Sequence, residues 1–294
     1  DINRSRIRNI ENLTGIRAHT IRIWEQRYGI LQPKRTPTNI RYYDATDLKY
    51  ALRIALLNNY GYKISRIQEM SEGEINNVIN KINDQEFQLQ AQVNRMLETM
   101  LTLDTDLFET LITSYIKKNG IEMAVERLLF SFLEKVGIMW MTDRIFPAQE
   151  HIMSNIVYRK LALAIEQLPK NPDASPSVLL FLPEGEIHDI GLMYVHYLLL
   201  KHGKKPIYLG PNSPVKDVQL AAEMKKPDYA FIHLTSVASE FDCNKYLKKL
   251  TETLPGITIL VSGSMLKHTK LQSHPRVVPF HSLQQVKNYI LTLS

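Results

Sequence analysis

The sequence predicts a multidomain α and α/β chain, in which a basic helical head is followed by a helical bundle and then by a parallel sheet wrapped in helices. Three observations carry this. Positive charge is concentrated at the amino end, residues 84–168 are patterned almost purely as helix, and from residue 176 short apolar runs alternate with amphipathic stretches. The expected bounds are 1–75, 84–168 and 176–294, and a chain of 294 residues is long enough for a core in each part.

In the head, Ile7, Ile10 and Leu13 recur at helical spacing and Gly15 ends the run. Ile21, Trp24 and Tyr28 share a face of a second helix. The intervening Thr14-Gly15-Ile16-Arg17 has the length of a helix-turn-helix turn. Residues 32–43 hold Pro33 and Pro37 with Lys34, Arg35 and Arg41, which excludes helix and suits a wing. Asp44 and Asp47 then suit a helix N-terminus. Leu48, Leu52, Ala55 and Leu56 continue on one face, Gly61 closes that helix, and Ile64, Ile67 and Met70 begin a shorter one. The head is expected to be a winged helix-turn-helix.

In the middle, stripes run through Leu107, Leu111 and Tyr115, through Val125, Leu128, Phe132 and Val136, and through Ile152, Ile156 and Leu163. These are expected to form a four-helix bundle. The proline-rich tract 168–176 reads as a linker. Residues 177–182 are an apolar run of buried-strand type. Strands at 206–209, 229–234, 257–261 and 277–279 then alternate with helices at about 191–201, 215–224, 244–254 and 283–293. This alternation predicts a flavodoxin-like (Rossmann-type) parallel sheet, with ligands at the carboxyl ends of its strands.

Charge and composition bound the function. Residues 1–70 carry 13 Lys and Arg against 6 Asp and Glu, or +7, while the other 224 residues sum to −1. Such an imbalance fits a polyanion binder, and equally a solvated basic face. The lone Cys243 excludes an intramolecular disulfide and a cysteine-rich zinc site. No run reaches membrane-spanning length and the first residues lack a secretory pattern, so a cytoplasmic protein with no membrane partner is expected. No Ser-His-Asp set, phosphate loop or metal cluster argues for an enzyme.

The second helix carries Arg17, His19, Thr20, Arg22 and Arg27, donors of the kind that reach base edges in a major groove. The wing adds Lys34, Arg35 and Arg41 beside Tyr42 and Tyr43, suited to backbone phosphates. The stretch from Ile10 to Gly29, with Leu13, Thr14-Gly15, Thr20-Ile21-Arg22, Trp24 and Glu25, resembles the start of MerR-type transcriptional regulators. Ile21 stands where that pattern has leucine, and Ile23 where it has the first aromatic. The wing spacing Arg35, Arg41, Tyr43 also fits. The resemblance implies binding of double-stranded DNA at a near-palindromic operator by a two-fold assembly.

Two further motifs stand out. Trp140 is followed ten positions later by Glu150-His151, and Glu186-Ile187-His188-Asp189-Ile190-Gly191 follows the first strand of the α/β part. His188 lies where a neutral imidazole could reach a ligand, with Asp189 or Glu186 to orient the ring and Gly191 allowing close approach of helix and cofactor. On the residues alone, Trp140 also fits a bundle core, Glu150-His151 a polar pair on a helix face, and His188 a surface or capping residue. His196 and His202 read as ordinary helix residues.

A helical bundle followed by such a sheet, with His-x-x-Gly after its first strand, resembles the cobalamin-binding modules of methionine synthases and mutases. With glutamate at 186 and the Trp-x9-Glu-His pattern, it resembles the regulator branch, the CarH/LitR-like photoreceptor repressors. That resemblance implies adenosylcobalamin held between bundle and sheet, with His188 as lower axial cobalt ligand beside Glu186 and Gly191. It also implies Trp140, Glu150 and His151 over the adenosyl group, Ser262 and Gly263 beside the nucleotide tail, and Ser236 in the serine-rich loop after the third strand as a further cofactor contact. It further implies a homo-oligomer, dimer or tetramer, that binds DNA until light breaks the cobalt–carbon bond. The sequence departs from the family at Met141, where light-sensing members can place a histidine, and at Ser262, where cobalamin folds tend to have the first of two glycines. A second reading therefore stays open, in which the carboxy-terminal half works without cofactor as an oligomerisation or protein-interaction module. A cobalamin-dependent mutase or methyltransferase would need a further catalytic domain.

Overall fold

Gly15 takes a left-handed backbone (φ 74°) and returns its N–H to Glu11, which ends α1 (Ile7–Thr14) and turns the chain into α2 (Ala18–Tyr28). A computed structural model describes residues 5–140, 146–235 and 241–293, with Trp140 described in its backbone alone. Ile10, Leu13, Ile21 and Trp24 are buried. After α2 the prolines admit only a short antiparallel ribbon, β1 (Lys34–Arg35) and β2 (Arg41–Tyr42), with Lys34 opposite Tyr42 and Arg35 opposite Arg41. Ser5 and Tyr43 extend it by exchanging backbone hydrogen bonds of 2.8 Å.

Asp44 and Asp47 form a reciprocal capping box at the start of α3 (Ala45–Asn59). The buried face of α3 runs through Leu48, Ala51, Leu52, Ile54, Ala55 and Leu57; Leu56, expected on it, is only half-buried. A one-turn α4 (Ile64–Ile67) stops before Met70. A second capping box, Ser71 with Glu74, then starts α5 (Glu72–Lys81), a helix in the gap between the expected head and bundle.

The bundle segments are α6 (Gln85–Thr102), α7 (Thr105–Asn119), α8 (Ile121–Met123) running through a π-helical turn (Ala124–Leu129) into α9 (Phe130–Trp140), and α10 (Pro147–Glu166). Val125, Leu128, Phe132 and Val136 are buried as expected. Two stripes are rotated from their expected faces. In α7 the buried residues are Phe108 and Ile112, with Leu107, Leu111 and Tyr115 half-buried beside them. In α10 they are Met153, Ile156, Val157, Leu161 and Ile165, while Ile152 and Leu163 are exposed. An apolar stripe wider than its buried strip leaves such flanks outside the core.

The chain divides into two compact units, 1–157 and 158–294, so the head shares the first with the bundle helices up to the middle of α10, and the expected bundle end at 168 falls in the second. Within the first unit α3 packs on α6 and α1 on α9. Arg53 of α3 donates to both oxygens of Glu98 on α6 (3.0 and 2.7 Å) and to Glu72 on α5 (2.5 Å). The buried Asn94 bridges the backbone carbonyl of Leu52 (3.4 Å) and the Lys135 ammonium (3.0 Å), whose pKa burial lowers.

In the second unit the strands are β3 (Ser177–Pro183), β4 (Lys205–Ser213), β5 (Tyr229–His233), β6 (Thr258–Ser262) and β7 (Val277–Pro279). They alternate with α11 (Ile190–Lys201), α12 (Val215–Lys225), α13 (Cys243–Thr253), a 3-10 turn (Ser264–Lys267) and α14 (Leu283–Thr292). All pairings are parallel in the order β4-β3-β5-β6-β7. The chain winds outward from β3 in both directions, so the topological switch point lies between β3 and β5. Among the described residues no helix is long and apolar enough to cross a membrane.

Candidate functional site

Two surfaces collect the residues singled out above. On the head, Arg17, His19, Arg22 and Arg27 are exposed along and beside α2, and Thr20 is half-buried. Beneath them Glu25, its side chain 7% exposed, accepts a hydrogen bond from the Tyr43 hydroxyl and lies 4.0 Å from Arg41 Nε. Burial and the Glu25 carboxylate together push the Tyr43 phenol well above its ordinary range. Glu25 thereby ties the far end of the ribbon to α2.

Lys34 and Arg35 hydrogen-bond within the chain, while Arg41 only comes within ion-pair range of Glu25, its buried Nε making no hydrogen bond. Lys34 donates to Asp44 Oδ2 (2.6 Å), which raises the lysine and lowers the aspartate, while burial raises Asp47 beside it. Arg35 donates to Asn39 Oδ1 (2.6 Å), Asn39 itself taking a positive φ of 62° in the turn of the ribbon. Arg41 is half-buried against Glu25, and Tyr42 is half-buried in β2.

The second surface is the carboxyl edge of the sheet. Glu186, in the loop after β3, is completely buried. Its Oε1 accepts the His188 backbone N–H (2.9 Å) and lies 2.8 Å from His188 Nδ1; its Oε2 accepts the Thr235 N–H (3.1 Å) in the loop after β5. Asn212, after a left-handed step in β4, donates its N–H to the Glu186 carbonyl, and its side chain accepts from Gly185 N–H. One carboxylate thus spans the switch point. Because a carboxylate only accepts, it holds the proton of the neutral His188 ring on Nδ1 and leaves Nε2 unprotonated. The His188 side chain is 49% exposed. Asp189, the other candidate to orient His188, is taken by the Tyr208 hydroxyl (2.8 Å), and burial raises its carboxyl. His196 stacks on Tyr208, and burial lowers it to about 4, in keeping with an ordinary helix residue.

No motif or spacing in the sequence marks His233 as a site residue. The residue ends β5, with Nδ1 2.8 Å from the hydroxyl of the buried Ser262. Its ring lies against Gly191, where an added Cβ would stand 2.4 Å from Nε2 and 2.5 Å from Cδ2. The room at Gly191, expected for a cofactor, is therefore taken by His233, and the Ser262 hydroxyl is turned to the same ring. At Gly263 (φ 118°) an added Cβ would fall 2.0 Å from the Leu234 carbonyl oxygen, so only glycine fits. Burial, set against a smaller pull from Glu186, lowers His233 to about 4.

Trp140 closes α9. Glu150 and His151 begin α10, with His151 exposed and its Nε2 3.5 Å from Glu150, whose carboxylate also accepts from Ser154. Ser236 and Met141 lie outside the described residues. No cluster of three metal-ligating side chains occurs among the described residues. The donor set at Glu186-His188 fits a group that brings its own equatorial ligands and takes one imidazole. The neighbouring crevice over Gly191 is filled by the chain itself.

Residues 5–74 match the MerR HTH family of regulatory proteins, and residues 92–165 match a B12 binding domain. The chain is 27% identical to the HTH-type transcriptional repressor CarH of Myxococcus xanthus over 266 residues, covering 88% of each chain. It is 25% identical to the repressor CarA of the same organism over 264 residues, 88% of this chain and 86% of the relative. The monomethylamine corrinoid protein of Methanosarcina barkeri shares the fold at 15% identity with a TM-score of 0.53, over 69% of this chain and 98% of that one. The chain is thus homologous to the CarH and CarA repressors along most of its length, with a MerR-type helix-turn-helix followed by a B12-binding domain.

Proposed function

We infer that the protein is a cytoplasmic DNA-binding transcriptional repressor, not an enzyme, whose operator binding is set by adenosylcobalamin. Residues 1–75 are the DNA-reading domain, 84–168 the cofactor-capping helical bundle, and 176–294 the cobalamin-binding α/β domain. The observation that carries this reading is the pairing of two surfaces in one chain: the exposed row Arg17, His19, Arg22 and Arg27 on the helix-turn-helix, and a histidine fixed by a buried carboxylate at a sheet switch point.

On the head, Arg22 and its neighbours enter the major groove, while Lys34, Arg35 and Arg41 face the phosphates beside it. A single head reads one half-site, so a homodimer on a near-palindromic operator, or a tetramer built from two, follows. In the second unit His188 Nε2 would hold the cobalt, with Glu186 fixing the ring through Nδ1. Trp140, Glu150 and His151 would hold the cofactor's adenosyl group. The bound cofactor supplies a light-sensitive cobalt–carbon bond and hence two states with different assembly preferences. Everything else is done by the chain: Glu186 holds the proton at Nδ1, and the oligomer presents paired heads.

The test is a gel-shift and sedimentation series on fragments upstream of genes in the source genome, with and without adenosylcobalamin in the dark, then after illumination. Cofactor-dependent retardation and a larger sedimenting species are expected, with light reversing both. Retardation that ignores the cofactor would favour the second reading, a cofactor-free interaction module, for which the filled crevice at His233 and Ser262 speaks. Arg22→Ala is expected to weaken operator binding by about 1–3 kcal/mol. Wild-type affinity in that variant would remove Arg22 from the base-reading set.

A further inference from the structure

At the switch point of a parallel sheet, the space between the diverging loops is where ligands enter. Here that space has a lining that the chain supplies to itself. The His233 imidazole lies on the bare Cα of Gly191, the first full turn of α11, closer than any side chain at 191 would allow. Its Nδ1 is tethered to Ser262 at the end of β6 (2.8 Å). Directly beside it the Leu234 backbone fills the cradle of Gly263, and Leu234 N–H bonds the Ser262 carbonyl (2.8 Å). Two positions without a Cβ thus open no empty groove; each is occupied by a neighbouring segment.

This deepens the reading of His188 as a cobalt ligand and rests on it. A corrin ring docking on His188 needs only the exposed side of the loop after β3. On that reading a nucleotide tail descends past the same histidine and meets the crevice that the His233 ring fills. We propose that His233, tethered to Ser262 and seated on Gly191, is a side-chain gate that the nucleotide tail of adenosylcobalamin has to open, so that this chain binds tailed corrinoids more weakly than tailless ones. Entry of a tail requires the ring to leave Gly191 and give up the Ser262 hydroxyl. The apparent affinity for a tailed corrinoid is then lowered by the small fraction of molecules with the gate open.

The test compares aquocobinamide, which lacks the tail, with aquocobalamin. Each is titrated into the full chain in the dark and followed by the visible absorption change on imidazole coordination. Wild type, His233→Ala, which opens the gate, and His233→Phe, which keeps its bulk, are compared. Ser262→Ala, which removes only the tether, is the milder variant should His233→Ala fold poorly. Cobinamide affinity is expected to stay level across the set. Cobalamin affinity is expected to rise about tenfold or more in His233→Ala, less in Ser262→Ala, and not in His233→Phe. If both corrinoids bind but their affinity ratio is the same in all four proteins, the gate is wrong and the corrinoid reading stands. If neither binds to any of the four, the corrinoid reading falls and the gate with it.

Discussion

Glu186 is one residue performing three connections: it satisfies the His188 N–H, fixes the His188 ring, and holds the Thr235 N–H across the switch point. Glutamine in its place keeps the shape but can present its amide group to Nδ1, which frees the imidazole to adopt the other tautomer. Glu186→Gln is therefore expected to weaken corrinoid coordination about 10–100-fold, read by the same absorption titration, with little change in far-UV dichroism. Two other histidines carry a pH signature. His196 and His233 lie at about 4 in the folded chain against an ordinary value of 6.5. Between those values the unfolded chain binds protons that the folded chain refuses, so stability is full above about 6.5 and drains away as pH falls toward about 4. Each histidine adds a slope of up to about 1.4 kcal/mol per pH unit, with allowance for partial exposure. Urea midpoints of the second unit should drop between pH 7 and pH 4.5, and drop less in His233→Phe. An equal drop in that variant would show that His233 does not titrate with folding.

At the level of elements, the local signals were the legible ones. Gly15, the pair Pro33 and Pro37, and the Asp44–Asp47 cap mark the helix-turn-helix and its ribbon because each acts within a few residues. The alternating apolar runs gave the parallel sheet for the same reason. The helix α5 had such a signal in Ser71 and Glu74, but its place between two blocks hid it. The buried faces of α7 and α10 differ from the expected ones because which flank of a broad stripe is buried depends on the helix packed against it. His233 carried no spacing signal; only the sheet brings β5 against Gly191 of α11. The partners of Lys34 and Arg41 lie 10 and 16 positions away in sequence, beyond helical periodicity. The same holds for Arg53 and Glu98, 45 positions apart, which join α3 to α6. Arg53→Met strands a largely buried carboxylate and is expected to cost roughly 3 kcal/mol in urea unfolding. Pairing it with Glu98→Leu should restore most of that loss. A double variant no better than the single one would mean that packing, not charge, holds the two helices.

At the level of the molecule, the head and the bundle helices α6 to α9 lie in one compact unit, joined through α1 on α9 and α3 on α6. The surface proposed to read DNA lies on other elements, α2 and the ribbon. Such an arrangement predicts that head and bundle unfold together. In pulsed hydrogen exchange across a urea series, peptides from α1, α3 and α6 should lose protection at one concentration; a head that opens first would contradict this. The ribbon has one more consequence, in its response to electrolyte. Lys34, Arg35 and Arg41 already face Asp44, Asn39 and Glu25. A DNA phosphate that draws Lys34 or Arg41 from its carboxylate exchanges one counter-charge for another and sheds fewer condensed cations from the duplex. A plot of log affinity against log salt should then fall less steeply than about 0.9 per basic residue, leaving a grip that persists where a protein with bare cations would let go.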